Sequence, residues 1–200
     1  GDRFEMLPIA MTTAYRGIPI AHIEGGDVSG AIDNKVRFAI TALADIHFPT
    51  NRRSYKRLIN MGSNPEWRYN FGSLDVEYAK SIEETSRLPD REYIVMCHHA
   101  LKGEDPKIIE KSIRSVFNGE VIVIKSNSDY GLSYGNKEFT PEEYIKLIAG
   151  AKCLVGNSSS FLKEASIFGV PVVNIGTRQK NRLKASHVKD VAFNETEIKE

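Results

Sequence analysis

The chain has 200 residues, 41% of them hydrophobic and 26% charged, which is ordinary for a soluble globular protein and long enough to bury a core. A formal net charge of +1 points to neither nucleic acid nor a membrane surface as a partner. No apolar run approaches the roughly 20 residues of a membrane span and no signal peptide is visible, so a cytoplasmic location is expected.

The chain begins Gly1-Asp2-Arg3, without Met, so its first residue need not be the first of the gene. Residues 4–15 are apolar and of helix length, with Pro8 in the first turn. Residues 18–23 read as a short buried strand, followed by the turn Glu24-Gly25-Gly26-Asp27. Residues 35–44 carry Val36, Ala39, Ile40 and Leu43 at helical spacing. A strand is expected at 46–50, a basic amphipathic helix at 52–61 and a strand at 67–71, with a hinge at Gly72-Ser73. The basic residues of that helix, Arg52, Arg53, Lys56 and Arg57, read as a solvated face.

The second half continues with a helix at 76–86, a strand at 93–97, a helix at 106–117 and a strand at 121–124. Residues 126–140 are rich in Ser, Asn, Gly and Tyr and read as a loop. Thr140-Pro141-Glu142-Glu143 opens a helix with a hydroxyl cap, a first-position proline and acids in its first turn. The apolar run Cys153-Leu154-Val155 leads into Gly156-Asn157-Ser158-Ser159-Ser160, a helix at 161–168 ends at Gly169, and 170–176 reads as the next strand. Residues 195–200 open a further helix. Both cysteines, Cys97 and Cys153, lie in apolar runs and are expected as reduced, buried thiols. Helices alternate with strands that are continuous apolar runs, which predicts an α/β fold built on a doubly wound parallel sheet.

In such sheets ligands sit beyond the carboxyl ends of the strands, and the polar residues gather there. They are Glu24 to Asp27 and Asp33, His98 and His99, Lys125 to Asn127, Asn157 to Ser160, and Gly176 to Arg178. Hydroxyls and free N–H groups at a helix start, with Arg178 and His99 near, suit a diphosphate. The plainer role for the serines is helix capping. Glu164, one turn further on, is placed to accept hydrogen bonds from sugar hydroxyls such as those of a ribose. His98 and His99 are adjacent on a strand and cannot chelate together. His22 reads as a satisfied core histidine. No metal site is expected. Neither a Gly-x-Gly-x-x-Gly fingerprint nor a lysine-bearing phosphate loop is present, so no nicotinamide or other cofactor is expected.

At these residues the chain resembles the UDP-N-acetylglucosamine 2-epimerase family, and within it the hydrolysing branch that makes N-acetylmannosamine for sialic acid. The matching stretches are Gly1-Asp2-Arg3-Phe4-Glu5, His22-Ile23-Glu24-Gly25-Gly26-Asp27-Val28-Ser29-Gly30, Ala31-Ile32-Asp33, Gly156-Asn157-Ser158-Ser159 with Glu164, and Gly169 to Gln179. The resemblance implies a Rossmann-like, two-domain glycosyltransferase-B-like fold with a UDP-sugar bound in the interdomain cleft. Residues 1–73 would complete a first domain whose opening strands are missing, and 74–200 would form the UDP-binding second domain. It also implies Asp2, Glu24, Asp33 and His99 as catalytic residues, with Glu24 first for proton transfer. Arg3, Asn127, Ser158, Ser159, Glu164 and Arg178 would bind UDP or the sugar. Family members are often homo-oligomers.

The chain departs from the family in four places. Phe161 replaces a glycine beside the serines, where a bulky ring would crowd a phosphate. Ala100 follows His99 in place of proline, Asn34 stands where a second acid is common, and the stretch between Asn127 and Pro141 is shorter by about one helix and one strand. Other readings are a sister substrate, UDP-diacetylbacillosamine, a nucleotide-sugar-binding protein without activity, and a glycosyltransferase on the same fold.

Overall fold

The computed structural model describes residues 3–85, 92–126 and 133–200. The chain divides into two compact units, Gly1–Glu77 with Lys180–Arg182, and Tyr78–Gln179 with Leu183–Glu200.

The first unit runs α1 (Met6–Tyr15), β1 (Ala21–Ile23), α2 (Asp33–Leu43), β2 (Ile46–Phe48) and α3 (Arg52–Asn60), and then enters α4 (Leu74–Thr85), along which the chain passes to the second unit. β1 and β2 pair in parallel, Ala21 opposite Ile46 and Ile23 opposite Phe48. The Asn51 side chain caps α3 by accepting the Ser54 N–H at 2.9 Å. The basic face of α3 is not wholly solvated, because Arg57 donates through Nη1 to the Gly26 carbonyl. Residues 67–71 do not form the expected strand. A 3-10 turn at Pro65–Trp67 uses up the start of that stretch, and only an isolated bridge joins Arg68 to His47. The segment packs through a cluster of three rings, with Tyr69 5.6 Å from Phe48, Phe71 5.9 Å from Tyr69 and Phe71 6.4 Å from Phe48.

The second unit contains β3 (Tyr93–Cys97), α5 (Pro106–Val116), β4 (Glu120–Val123), α6 (Pro141–Ala149), β5 (Cys153–Gly156), α7 (Ser159–Leu162), α8 (Ala165–Phe168), β6 (Val172–Ile175), β7 (Val188–Val191) and α9 (Glu195–Lys199). The strand order is β4-β3-β5-β6-β7, all parallel. Its strands are continuous apolar runs because both faces are covered. Val95, Leu154 and Val172 face one core with Ile148 and Phe161, while Met96, Val155 and Ile175 face another with Ile109 and Ile198. This is the doubly wound arrangement the sequence predicts. Helix α6 starts in a full capping box of Thr140 and Glu143, as its sequence indicates.

The helix expected at 161–168 is two single turns. It begins at Ser159 and breaks at Lys163, whose backbone lies at φ −97 and ψ −76. No glycine or proline between the two turns announces the break. Strand β7 was not expected. Lys189 and Asp190 are exposed, and only Val191 of its four residues is buried, so this sheet edge looks like surface sequence. Among the described residues the sheet carries no strand beyond β4. Residues Tyr134 and Lys137 lie against its end through isolated bridges to Ser126 and Ile124, while residues 127–132 of the expected loop lie outside the described residues. Both cysteines are free; Cys97 is buried and Cys153 only half-buried.

Phe161 is fully buried in the core with Leu162 and Ala165. Its replacement by Ala is expected to lower the unfolding free energy by about 3–5 kcal/mol, read from urea unfolding, because a large ring leaves a cavity that the surrounding helices fill only partly.

Candidate functional site

The second unit's candidate site is built at the carboxyl ends of β3 and β5, which pair as far as Cys97 and Gly156. From β3 the sheet grows one way to β4 and the other way to β5, so their carboxyl ends flank a topological switch point, where open α/β sheets hold ligands. Gly156 closes this point. Its φ is +139, and a Cβ there would lie 2.0 Å from the Cys97 carbonyl oxygen, so only glycine lets the two strand ends approach. Asn157 follows with no exposed surface. Its N–H donates to Cys97 O at 3.1 Å. Its side chain accepts the His99 N–H at 2.7 Å and donates to His99 O at 2.9 Å. Its own carbonyl accepts Gln179 Nε2 at 2.7 Å and Arg178 Nη1 at 3.3 Å. One asparagine thus fixes the loops after β3, β5 and β6.

His98 and His99 diverge as alternation requires. His98 is buried and its Nε2 lies 2.8 Å from Glu104, while His99 Nε2 lies 3.9 Å from Cys97 Sγ. Burial works to raise the Glu104 carboxyl, but hydrogen bonds from His98 and the Leu101 N–H outweigh it and hold the group below its usual range. Burial pushes the Cys97 thiol up to about 11, against hydrogen bonding from Ser158 and the charge of Arg178. Ser158 Oγ is 2.9 Å from Ser160 Oγ, which in turn bonds the buried Tyr144 hydroxyl. Burial also raises the Tyr144 phenol, which stays neutral. No serine side chain caps α7. Since α7 is one turn long, any anion held there would be held by hydroxyls and local N–H groups rather than by a helix dipole. Phe161 does not crowd this place: its ring points into the core. Glu164 stands half-buried at the break between α7 and α8. His99, Ser158 and Arg178 are thus gathered around Cys97 and Asn157 at the sheet's carboxyl edge, with Ser159 and Glu164 following on the chain.

In the first unit Glu24 follows β1. Its backbone is left-handed at φ +65, shared among non-glycine residues only with Asn181 in the described chain. Such a backbone costs about 1–3 kcal/mol and persists only where the surroundings enforce it. Here the Glu24 N–H donates to Phe48 O at 2.9 Å and its carboxylate accepts Ser73 Oγ at 2.9 Å. The Gly25-Gly26 turn beside it admits no side chain, since a Cβ on Gly25 would meet His22 Nδ1 at 2.7 Å. His22 is buried against Thr41 Oγ1 at 3.1 Å, as a core histidine should be. Asp33 opens α2, half-buried. Asn34, in place of an acid, orders the turn by accepting the Ser29 N–H at 2.9 Å and Arg37 Nη1 at 2.8 Å. Arg3 is exposed and pairs with Glu5 at 2.8 Å. Asp2 and Asn127 lie outside the described residues.

Sequence reasoning missed Arg37, Asn157 and Gln179 as organisers, because a buried polar residue that ties loops together leaves no periodic signal. A cavity of 510 Å³ in the first unit opens at the other ends of the strands, lined by Pro19, Asp45, His47 and Trp67 among others, away from Glu24. Among the described residues no three His, Cys, Asp or Glu side chains are grouped to hold a metal, and no helix is long and apolar enough to cross a membrane.

Residues 1–200 match the family described as UDP-N-acetylglucosamine 2-epimerase. The chain belongs to this family. Among its relatives, the GDP/UDP-N,N'-diacetylbacillosamine 2-epimerase (hydrolyzing) of Campylobacter jejuni is 29% identical, covering 98% of this chain and 59% of that protein. The UDP-N-acetylglucosamine 2-epimerase of Neisseria meningitidis is 31% identical, covering 91% and 55%. The chain thus spans a little over half the length of the curated relatives it matches. The UDP-GlcNAc 2-epimerase of Methanocaldococcus jannaschii, solved with UDP-GlcNAc and UDP, superposes with a TM-score of 0.76 at 16% identity, covering 100% of this chain and 65% of that one. That likeness places the fold among the glycosyltransferase-B-like epimerases.

Two outcomes test this strand junction. Asn157→Ala strips the His99 N–H and carbonyl of their partner and is expected to cost roughly 3 kcal/mol in urea unfolding. Cys97, protonated far above neutrality, is expected to resist iodoacetamide in the folded protein at about pH 8, and to react once the protein is unfolded.

Proposed function

We propose that the protein is a hydrolysing UDP-N-acetylglucosamine 2-epimerase, converting UDP-N-acetylglucosamine and water to N-acetylmannosamine and UDP, for sialic acid or a related nonulosonate. The observation that carries the reading is Glu24, a carboxylate at the carboxyl end of a parallel strand, held in strained backbone and hydrogen-bonded at both its N–H and its side chain. Strain of this kind is retained where a reacting group must be fixed before substrate arrives. The gathering of His99, Ser158 and Arg178 around Asn157 supports the nucleotide part of the proposal. In this reading residues 1–73 supply acid–base chemistry and 74–200 hold UDP.

The sugar's C2 proton is not next to a carbonyl and is barely acidic, so leaving-group departure must lead. The C1–O bond breaks and UDP leaves with the electron pair, building positive charge at C1. Arg178, His99 and the serine hydroxyls stabilise the charge growing on the diphosphate, and Ser159 and Glu164 complete the UDP contacts, Glu164 on the ribose. Glu24 takes the C2 proton, and the C2–H electron pair becomes the C1=C2 bond of a glycal. Water then adds its oxygen to C1, and a proton enters C2 from the opposite face, giving the manno sugar. A second acid–base group is needed for that return, and Asp2 and Asp33 are the candidates. Arg3 and Asn127 are assigned to the sugar and UDP by motif alone.

A second substrate has its own support. The Campylobacter relative is named for GDP/UDP-N,N'-diacetylbacillosamine and as hydrolyzing, and the same chemistry at C1 and C2 serves a sugar with a further acetamido group at C4.

Full-length protein incubated with UDP-N-acetylglucosamine in deuterated water is expected to release UDP and N-acetylmannosamine carrying deuterium at C2, followed by proton NMR. Glu24→Gln is expected to slow this by at least about 100-fold while calorimetric UDP binding is retained. Consumption of UDP-diacetylbacillosamine alone would move the assignment to that substrate. UDP binding with neither sugar consumed would leave a binding protein and overturn the proposal.

A further inference from the structure

Ser73 stands directly before α4, at the position where a serine ordinarily turns its oxygen to the N–H of the second or third helical residue. It does not do so here. Its carbonyl accepts the Glu77 N–H at 3.0 Å, as the helix requires. Among the described residues its hydroxyl has a single hydrogen bond, donated to Glu24 Oε1 at 2.9 Å across 49 positions of sequence. Ser73 is buried, so water does not compete freely for that bond. We infer that Ser73 is a positioning residue for Glu24, its hydroxyl diverted from capping α4 to hold the carboxylate that receives the substrate's C2 proton.

The surroundings show how both partners are brought to one place. Glu24 is fixed by its N–H on Phe48 O, at the end of β2. The segment leading to Ser73 is fixed on the same strand: the Tyr69 N–H donates to His47 O at 2.9 Å, and the rings of Phe48, Tyr69 and Phe71 cluster in mutual contact. The Tyr69 hydroxyl is tied to Glu66 O at 2.9 Å, and Gly72, at φ +96, makes the turn that delivers Ser73. Phe48 therefore serves as a common base for the carboxylate and for the hydroxyl that orients it. Both residues lie within the first unit. A hydroxyl donating to a carboxylate favours the ionised form and removes rotamer freedom, which are the two requirements of a general base. Removing it takes away one of the bonds that favour the ionised form and orient the carboxylate.

This inference rests on the proposal that Glu24 takes the C2 proton, so its test includes a measurement that needs no turnover. In full-length protein, Ser73→Ala is expected to lower kcat about tenfold to a hundredfold with KM and UDP affinity changed less than about twofold. The acid limb of the pH–kcat profile should move up by about half to one pH unit. Ser73→Thr, which keeps the hydroxyl, should restore most of the rate. The thermal midpoint of Ser73→Ala should stay near that of the parent, because the hydroxyl does not cap its helix. Independently, carbon NMR titration of the Glu24 carboxyl should show the same upward movement in Ser73→Ala. An unmoved Glu24 titration, or an unchanged kcat and acid limb, overturns the inference. A moved titration in a protein that turns over neither UDP-sugar keeps the Ser73–Glu24 contact and refutes the reaction assigned to it.

Discussion

Asn157 and the glycine before it set the terms for the second unit. Parallel strands in a doubly wound sheet end in loops whose backbone groups have no ladder to join. At the junction of β3 and β5 those groups are satisfied by one buried amide, which takes the His99 N–H and gives to the His99 carbonyl. The loop after β6 closes on the same residue through Gln179 and Arg178. Gly156 makes this geometry reachable, because its missing side chain is the space occupied by the Cys97 carbonyl. The positions of His99, Ser158 and Arg178 are consequences of that closure rather than independent features.

The first unit solves a similar problem by packing instead of amide bonding. The Gly25-Gly26 turn is pressed between His22 on one side and Ser54 with Leu58 on the other, and neither glycine has room for a methyl group. Arg37, almost fully buried, donates to the Asp27 carbonyl at 3.2 Å and to Asn34, so the turn after β1 is held from α2 as well. An enforced turn of this kind is what lets Glu24 remain in left-handed backbone. The cost of that conformation is met by contacts around it, and the side chain gains a single direction.

The chemistry available at the two places differs in kind. The second unit gathers hydroxyls, a guanidinium and an imidazole, groups that stabilise negative charge on an oxygen leaving group. Its buried thiol and phenol are raised, so they remain neutral there. The first unit supplies carboxylates, to which the proposed reaction assigns proton transfer. That reaction must expel UDP before an unactivated proton becomes removable, so it calls for both kinds of group.

Much of this was legible in the residues themselves. Continuous apolar runs such as Tyr93 to Cys97 and Leu154 to Val155 are dictated by burial on two faces, and they predict a parallel sheet without reference to any partner. The Thr140-Pro141-Glu142-Glu143 cap is a local signal, and it was read correctly because local bonds decide it. The family motifs likewise stand in the sequence as short, specific strings. The tertiary structure alone decided what depends on contacts between distant residues. Residues 67–71 have the composition of a strand but become part of a ring cluster on β2, because cross-packing of Phe48, Tyr69 and Phe71 replaces a ladder. Phe161 lies within a polar string yet faces the core, since one turn of helix sends adjacent side chains in different directions. Strand β7 hides its identity because an edge strand buries too little to show a pattern. The diversion of Ser73 from its helix to Glu24 is invisible at a separation of 49 residues, because hydrogen bonding across the fold is fixed by where the chain returns and not by which residue stands beside which.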